Sequence, residues 1–395
     1  MKKTLMRPGG MTPGPATPVV TPLMPSVVYA SATPDALDAQ YDEGGTGYVY
    51  AREGHPNATV LAQRLDALEG VSGGVVTGSG MAAVTAVMYG LLSKGDRVVG
   101  GDQLYGRCLR MLTQDLPRMG MDCVLADPTD AAAMQAAITP GTKLVLIEVV
   151  TNPTLRIADV DAIAAACQAV GALLVVDNTF TTPRGYRPFD HGADIVLHSV
   201  TKLLAGHADV TLGYVAARDP AVMEQIDVCA ATLGLTASPF DCWLAERGLM
   251  TFDLRFDRAQ DTARRLADHL AVQPGVRRVV YPTRDDHPDR GRAQSVLRGR
   301  GCNMVSFELE GGRAQANALA EAAQGVSFAP TLGDVGTTLS HPASSSHRGL
   351  TPDGRAALGI SEGFFRVSVG LEDPEALIAT LDDGLAAARA VGDAS

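Results

Sequence analysis

Lys202 stands in the stretch HSVTKLLAGH, residues 198–207, after two hydroxyl residues, Ser199 and Thr201. The apolar run ADIVL at 193–197 precedes it and is short enough for a buried strand. A second run, ALLVVD at 172–177, ends in Asp177, 25 residues upstream (202 − 177). An acid therefore closes one predicted strand, and a lysine follows the next. Burial at a strand end lowers a lysine's pKa, and the neutral amine forms a Schiff base with a carbonyl. Neighbouring hydroxyls and backbone N–H groups suit a phosphate. An acid at a strand end suits a pyridinium nitrogen. Together these are the requirements for holding pyridoxal phosphate. A lone Ser-x-Thr-Lys is more often a surface lysine beside a strand, so the decision rests on the rest of the chain.

Two further stretches suit an anion. In GGVVTGSGMAAVTAVMYGLL, 73–92, the turn Gly78-Ser79-Gly80-Met81 joins a predicted strand to a predicted helix. Free N–H groups and the helix dipole favour a phosphate there. The turn lacks the Gly-Lys-Ser/Thr ending of a Walker loop and the full dinucleotide fingerprint. In GYVYAREGHPNATVLAQRLDALEG, 47–70, Tyr50 and Arg52 lie on a loop, where the arginine is either a solvated charge or a fork on a phosphate. Asn57 or Thr59 is the expected cap of the helix that follows, marked by Val60, Leu61, Leu65 and Leu68.

The elements that must position these residues alternate from 95 to 200. DRVVG, CVLAD, KLVLIEVV, ALLVVD and DIVLH read as short apolar strands, with alanine-rich helices between several of them. Such runs indicate a parallel sheet covered on both faces. Ligands bind at the carboxyl ends of such strands. Turn 78–81, Tyr105, Glu148 to Asn152, Asp177 and Lys202 all fall at or just beyond those ends. After TLGYVAA at 211–217 the chain becomes helical, and 238–270 is one long helix or a broken pair leading to a second domain. The C-terminal part mixes helices with the strands CNMVSFEL and FFRVSV and holds a long polar loop, 331–350. The domains expected are an extended arm over 1–47, an α/β domain over 48–250 and a smaller α+β domain over 251–395.

The net charge of −11 argues against nucleic acid or an anionic membrane as the main partner. No apolar run approaches the roughly 20 residues of a membrane span. The start, MKKTLMRPGGMTPGPATP, has no apolar h-region and reads as a flexible arm, not a signal peptide. The six cysteines are scattered without a C-x-x-C pair, which argues against zinc and suggests a reduced, cytoplasmic setting.

With YAREGHPN, GSGMAA, LYG, the Asn152-Pro153 pair, DNTFTTP, HSVTKLLAGH, SPFDCWL, HPASSSH and FRVSVGLED in order, the chain resembles the pyridoxal-phosphate enzymes of cysteine and methionine metabolism. These include cystathionine γ-synthase, cystathionine γ-lyase, methionine γ-lyase and the homoserine-ester sulfhydrylases. The resemblance implies a fold-type-I, aminotransferase-like α/β domain, a smaller C-terminal domain and a homotetramer of two active dimers. It also implies roles. Lys202 carries the cofactor and shuttles protons, Asp177 pairs with the ring nitrogen, and Tyr105 stacks on the ring. Gly80, Met81, Ser199 and Thr201 form the phosphate cup, completed by Tyr50 and Arg52 of the neighbouring subunit. Arg366 clamps the substrate α-carboxylate, helped by Asn152 and Thr337. His207 and His341 are expected to be structural, and Cys108 receives no role.

The distal pocket is mixed. Arg110, in YGRCLR, falls where the cystathionine enzymes carry an arginine, which suits a substrate with a distal carboxylate. Arg107 stands where methionine γ-lyases typically have a cysteine, and Gly336 where cystathionine γ-lyases commonly have a glutamate. GDVGTTLSHPASSSH is instead most similar to the sulfhydrylases. Elimination or replacement, β or γ, therefore stays open, with a γ-synthase or γ-lyase expected first. A dinucleotide-dependent dehydrogenase would need a complete glycine fingerprint and its ribose-binding acid. A silent scaffold would be expected to have lost Lys202 or Asp177.

Overall fold

The apolar runs assemble into one sheet. In this computed structural model, which describes residues 18–41 and 47–393, the first sheet has seven strands. They are β1 (Val75–Thr77), β2 (Arg97–Gly101), β3 (Asp122–Ala126), β4 (Thr142–Glu148), β5 (Leu173–Asp177), β6 (Ile195–Ser199) and β7 (Gly213–Ala217), in the order β1-β7-β6-β5-β4-β2-β3. Strands β2 to β6 run parallel, whereas β7 runs antiparallel to both β1 and β6. Alternate residues feed opposite faces. Val145, Ile147, Leu174, Val176 and Val196 enter one core, and Leu144, Leu146, Val175, Ile195 and Leu197 the other. Burial on both sides is why these strands read as continuous apolar runs. TLGYVAA supplies β7, and its reversed direction has no signature in the pattern of side chains.

The helix after the Tyr50 loop runs Pro56–Glu69, and neither Asn57 nor Thr59 caps it. The cap is His55, whose Nδ1 accepts the Ala58 N–H at 3.1 Å, because Pro56 fixes the first helical position. Asn57 instead joins the arm to this helix, accepting Met24 N–H and donating to the Pro22 carbonyl. Thr21 donates to Glu246 and accepts from the Trp243 indole, so the arm lies along its own domain here. The arm also contains a helix, Pro34–Tyr41, that sequence periodicity does not show. Thr33 caps it at Ala36 N–H, and none of its residues is buried, so no apolar stripe announces it. Of the extended arm expected over 1–47, residues 1–17 and 42–46 lie outside the described residues.

Residues 238–270 are a broken pair, Pro239–Leu249 and Phe252–Leu270. The longer helix bridges two cores. Phe252 and Phe256 pack with the first sheet, while Ala263, Leu266 and Leu270 pack with the second. The second sheet comprises β8 (Val276–Val280), β9 (Met304–Leu309), β10 (Ser327–Phe328), β11 (Thr338–Ser340) and β12 (Phe364–Ser368), in the order β10-β11-β12-β9-β8. The stretch 331–350, expected as loop, therefore contains β11, followed by a short helical turn at Pro342–Ser344. No helix among the described residues is long and apolar enough to cross a membrane.

The bridging helix also holds the lysine turn. Arg255 is 7% exposed, and its guanidinium donates to the carbonyls of Leu203 at 2.7 Å, Leu204 at 3.0 Å and Gly248 at 2.9 Å. Burial pulls this arginine down to about 10. Replacing Arg255 with Met removes three charge-assisted bonds and leaves buried carbonyls unpaired. Denaturant unfolding of Arg255→Met should show a loss of about 3 kcal/mol. An unchanged midpoint would remove the clamp as a source of stability.

Candidate active site

The carboxyl edge of the first sheet gathers most of the residues singled out above. Lys202 lies in the turn directly after β6, half-buried, and its Nζ donates to Thr331 Oγ1 at 3.3 Å. Burial lowers its pKa first, and the nearby Arg366 charge lowers it further. The amine is thus shifted toward its neutral form.

Arg366 reaches the same place from β12 and is 5% exposed. Its Nη1 donates to Asn152 Oδ1 at 2.7 Å, and its Nη2 to the Thr331 carbonyl at 3.0 Å. Its Nε is buried without a partner. Burial lowers this guanidinium to about 10, against the opposing pull of Glu148 and then Tyr105. A cation with an unused donor suits an incoming carboxylate. Thr331, which touches both cations, was not singled out by the sequence. Its only signal was its place at the start of the polar segment 331–350.

Asp177 closes β5 with its side chain enclosed. Thr179 supplies both its N–H, at 3.0 Å, and its hydroxyl, at 2.5 Å, to Oδ1. Burial raises this carboxyl, opposed first by the Thr179 bonds and then by His198. Oδ2 has no hydrogen bond among the described residues, so it remains available to a ring N–H. The Thr179 hydroxyl also accepts the Ser199 N–H at 2.8 Å, which ties the acid to the start of the lysine turn.

The start of the glycine-opened helix is built by close approach. Ser79 caps helix Gly80–Leu91 through Ala82 N–H at 3.0 Å, and the first amides, those of Gly80 and Met81, have no intrahelical acceptor. A Cβ on Gly80 would lie 2.8 Å from the Ser199 Cβ and 3.0 Å from its Oγ, so only glycine admits Ser199 to the helix start. Thr201 is placed differently. Its hydroxyl donates to the Leu212 carbonyl at 3.1 Å and accepts Leu212 N–H at 2.9 Å, so its proton is committed within the fold.

Tyr105 stands exposed at the start of helix Gly106–Arg110, its backbone N–H held by Glu148 Oε1 at 2.7 Å. Thr337 is not turned toward Arg366 by any bond. Its N–H and hydroxyl go to the Glu372 carboxylate, the latter at 2.7 Å, and its oxygen accepts Gly370 N–H. Tyr50 and Arg52 share an exposed loop, where Arg52 donates to the Ala231 carbonyl and lies over the Tyr50 ring at 5.6 Å. Neither bonds to Ser199, Thr201 or Lys202 of its own chain. Arg110 pairs with Asp115, Nε to Oδ2, at 3.5 Å on a half-exposed surface. The wide turn Met111–Asp115 brings these residues five positions apart onto one face. His341 is tied to Ser344 and the Glu362 carbonyl, and His207 to the Ala205 carbonyl. Cys108 is buried, and burial pushes its thiol well up.

A lysine after one parallel strand, an acid closing the next and a glycine-opened helix beside them define a fold-type-I pyridoxal-phosphate enzyme. The local chemistry fits that cofactor: a lysine with a lowered pKa, a carboxylate oxygen left free, and unpaired amides where a side chain at Gly80 would intrude. The chain belongs to the family of Cys/Met metabolism PLP-dependent enzymes, whose sequence model matches residues 4–386. It is 40% identical to cystathionine β-lyase MetC of Bacillus subtilis over 86% of each chain. It is 37% identical to cystathionine γ-lyase of the same organism, covering 97% of this chain and 99% of that one. Among solved structures, cystathionine γ-synthase from Xanthomonas oryzae pv. oryzae in complex with cystathionine superposes with a TM-score of 0.89 at 39% identity, over 94% of each chain.

Removing the guanidinium tests the buried clamp. Arg366→Ala should lower kcat/KM for any amino-acid substrate by about 10- to 150-fold, the worth of one charge-assisted carboxylate pair. A substrate amide lacking the carboxylate charge should lose far less. Equal losses for acid and amide would place the carboxylate elsewhere.

Proposed function

We propose that the protein catalyses γ-elimination or γ-replacement on sulfur amino acids or homoserine esters, in the manner of a cystathionine γ-synthase or γ-lyase. The observation that carries this is the joining of Lys202 and Arg366 through Thr331. It sets an amine beside a carboxylate-binding fork, within reach of one amino acid's Cα. Pyridoxal phosphate supplies the electron sink when bound. The neutral Lys202 amine removes the Cα proton and carries it onward as general base. Asp177 keeps the ring nitrogen protonated through its free oxygen. Arg366 and Asn152 orient the α-carboxylate, with Thr337 in support through the β11 edge. Tyr105 covers the ring, and its phenol serves the amine or leaving group. Gly80, Met81 and Ser199 receive the phosphate, and Thr201 joins them where its hydroxyl exchanges Leu212 for phosphate oxygen.

Arg110 recognises the distal carboxylate of cystathionine or an O-succinyl ester. Its exposed pair with Asp115 is worth at most about 1 kcal/mol, so a bidentate ligand displaces it. An O-succinyl- or O-acetylhomoserine sulfhydrylase, or a methionine γ-lyase, is the alternative if Arg110 stays with Asp115. The assembly is a homotetramer of active dimers, in which Tyr50 and Arg52 serve the neighbouring subunit; their distance in the bonding pattern from their own Lys202 supports this. The setting is cytoplasmic, supported by six cysteines that are all free.

The deciding assay offers cystathionine, O-succinylhomoserine, O-acetylhomoserine and methionine, each with and without a thiol. γ-Chemistry on cystathionine releases cysteine and 2-oxobutyrate; homocysteine and pyruvate instead would mean β-elimination and overturn the proposal. Arg110→Ala should lower kcat/KM by about 10-fold or more for cystathionine and O-succinylhomoserine only. Equal loss on all four substrates, or none, transfers preference to the alternative.

A mixing experiment tests the shared site. Inactive Arg52→Ala and inactive Lys202→Ala subunits, combined in verified mixed dimers, should recover part of the wild-type rate, because one hybrid site is then intact. Absence of recovery would place Arg52 outside the neighbour's cup.

A further inference from the structure

Glu148 ends β4 as Asp177 ends β5, and the two are register partners in parallel strands. Paired residues of parallel strands point to one face, so two carboxyl groups stand side by side at the carboxyl edge of the sheet. Glu148 is 7% exposed. Its Oε1 accepts the Tyr105 N–H at 2.7 Å. Its Oε2 is buried and has no hydrogen-bond partner among the described residues. Arg366, the nearest cation, directs its bonds to Asn152 and Thr331 instead. The ionisable groups facing Glu148 are Asp177 from β5, Arg366 from β12 and Cys108 from helix Gly106–Arg110.

We propose that Glu148 is a positioning residue that, as a neutral acid, holds Tyr105 by its backbone N–H and leaves Asp177 the only charged carboxylate of the pair. The inference rests on the placement of Tyr105 and Asp177 against the cofactor. Two adjacent buried carboxyls do not ionise together. Asp177 has the stronger claim to the charge, since it accepts a hydroxyl as well as a backbone N–H from Thr179 and His198 lies nearby, whereas Glu148 accepts backbone N–H groups alone. Burial first, and Asp177 second, push the Glu148 carboxyl well up, and the backbone N–H groups of Tyr105 and Asn152, then the Arg366 charge, only partly oppose them. Fixing the Tyr105 backbone fixes the exposed ring that leads into helix Gly106–Arg110, because no side-chain bond anchors that ring.

The test compares Glu148→Gln, the isostere of a neutral acid, with Glu148→Ala. Cofactor-free protein is titrated with pyridoxal phosphate and followed by visible absorption. The glutamine variant should bind within about 3-fold of wild type, and the alanine variant about 10-fold or more weakly, as one buried N–H loses its acceptor. A second readout needs no cofactor. A carboxyl raised in the folded state holds its proton there after the unfolded chain has released its own. Its contribution therefore favours folding at low pH and is lost as pH rises above the usual glutamate value of about 4.3. The stability of cofactor-free Glu148→Gln relative to wild type should accordingly increase between about pH 5 and about pH 8.

Glutamine binding as weakly as alanine, or a stability difference independent of pH, would show a charged Glu148 and overturn the proposal. Alanine binding as tightly as wild type would overturn the hold on Tyr105. If the alanine variant fails to fold, the glutamine affinity and the pH comparison still decide. Wild type that does not bind pyridoxal phosphate at all would instead refute the cofactor placement, and with it the inference, while the pH comparison continues to report the ionisation of Glu148 alone.

Discussion

Two cations share one enclosed space, and a single threonine is bonded to both. Thr331 accepts Lys202 on its hydroxyl and Arg366 on its carbonyl. Like charges held close in a partly dry site disfavour each other, and the lysine yields because a guanidinium stays charged where an ammonium does not. Burial comes first in lowering the Lys202 pKa, and the Arg366 charge that adds to it is a product of how the two sheets dock. Lys202 belongs to the turn after β6, Arg366 to β12 of the second sheet, and Thr331 to the segment leading into β11. The bridging helix Phe252–Leu270 fixes that docking, since its two halves lie in two different cores and its Arg255 grips the lysine turn.

The anion side follows a different rule. Its groups are backbone amides and hydroxyls, not cations of the same chain. Gly80 lets Ser199 reach the helix start, and Ser79 takes up the next free amide, which leaves the first two for a ligand. Adding a local arginine there would place a third cation near Lys202 and Arg366. Arg52 instead sits away on an exposed loop, bonded to Ala231.

Much of this was legible from residue order. Asp177 and Lys202 announced themselves because strand runs buried on both faces are continuous in sequence, and the acid and lysine follow immediately. Arg366 was placed by resemblance, and the structure adds what no spacing reveals: that Asn152 and Thr331 occupy two of its nitrogens. Glu148 was placed at a strand end but given no role, and Thr331 was seen only as the start of a polar segment, because their partners lie 43 positions away for Glu148 and 129 and 35 positions away for Thr331. The cap at His55 was missed because histidine is not a common capping residue, although Pro56 marked the boundary. Thr337 illustrates the opposite case. Its type suits a carboxylate, yet Glu372 claims its hydroxyl, and only the packing of the segment after β12 against β11 reveals it. The short Pro34–Tyr41 helix was unseen for lack of an apolar stripe.

The two ends of a bound amino acid would meet very different surfaces. At the α-end, Arg366 is 5% exposed, sits in a strand and is fixed by two neutral acceptors, so its geometry does not depend on the ligand. At the distal end, Arg110 is half-exposed, sits at a junction between an ordinary helical turn and a wider one, and holds a single 3.5 Å ion pair. Rigid burial suits a group that every substrate carries, because the desolvation is met once by the fold. A weak surface pair suits a group that differs between substrates, because exchanging one carboxylate partner for another changes little free energy. Under the proposed roles, substrate choice would shift at Arg110 without disturbing Lys202, Asp177 or Arg366. The chain is comparably identical to a β-lyase, a γ-lyase and a γ-synthase.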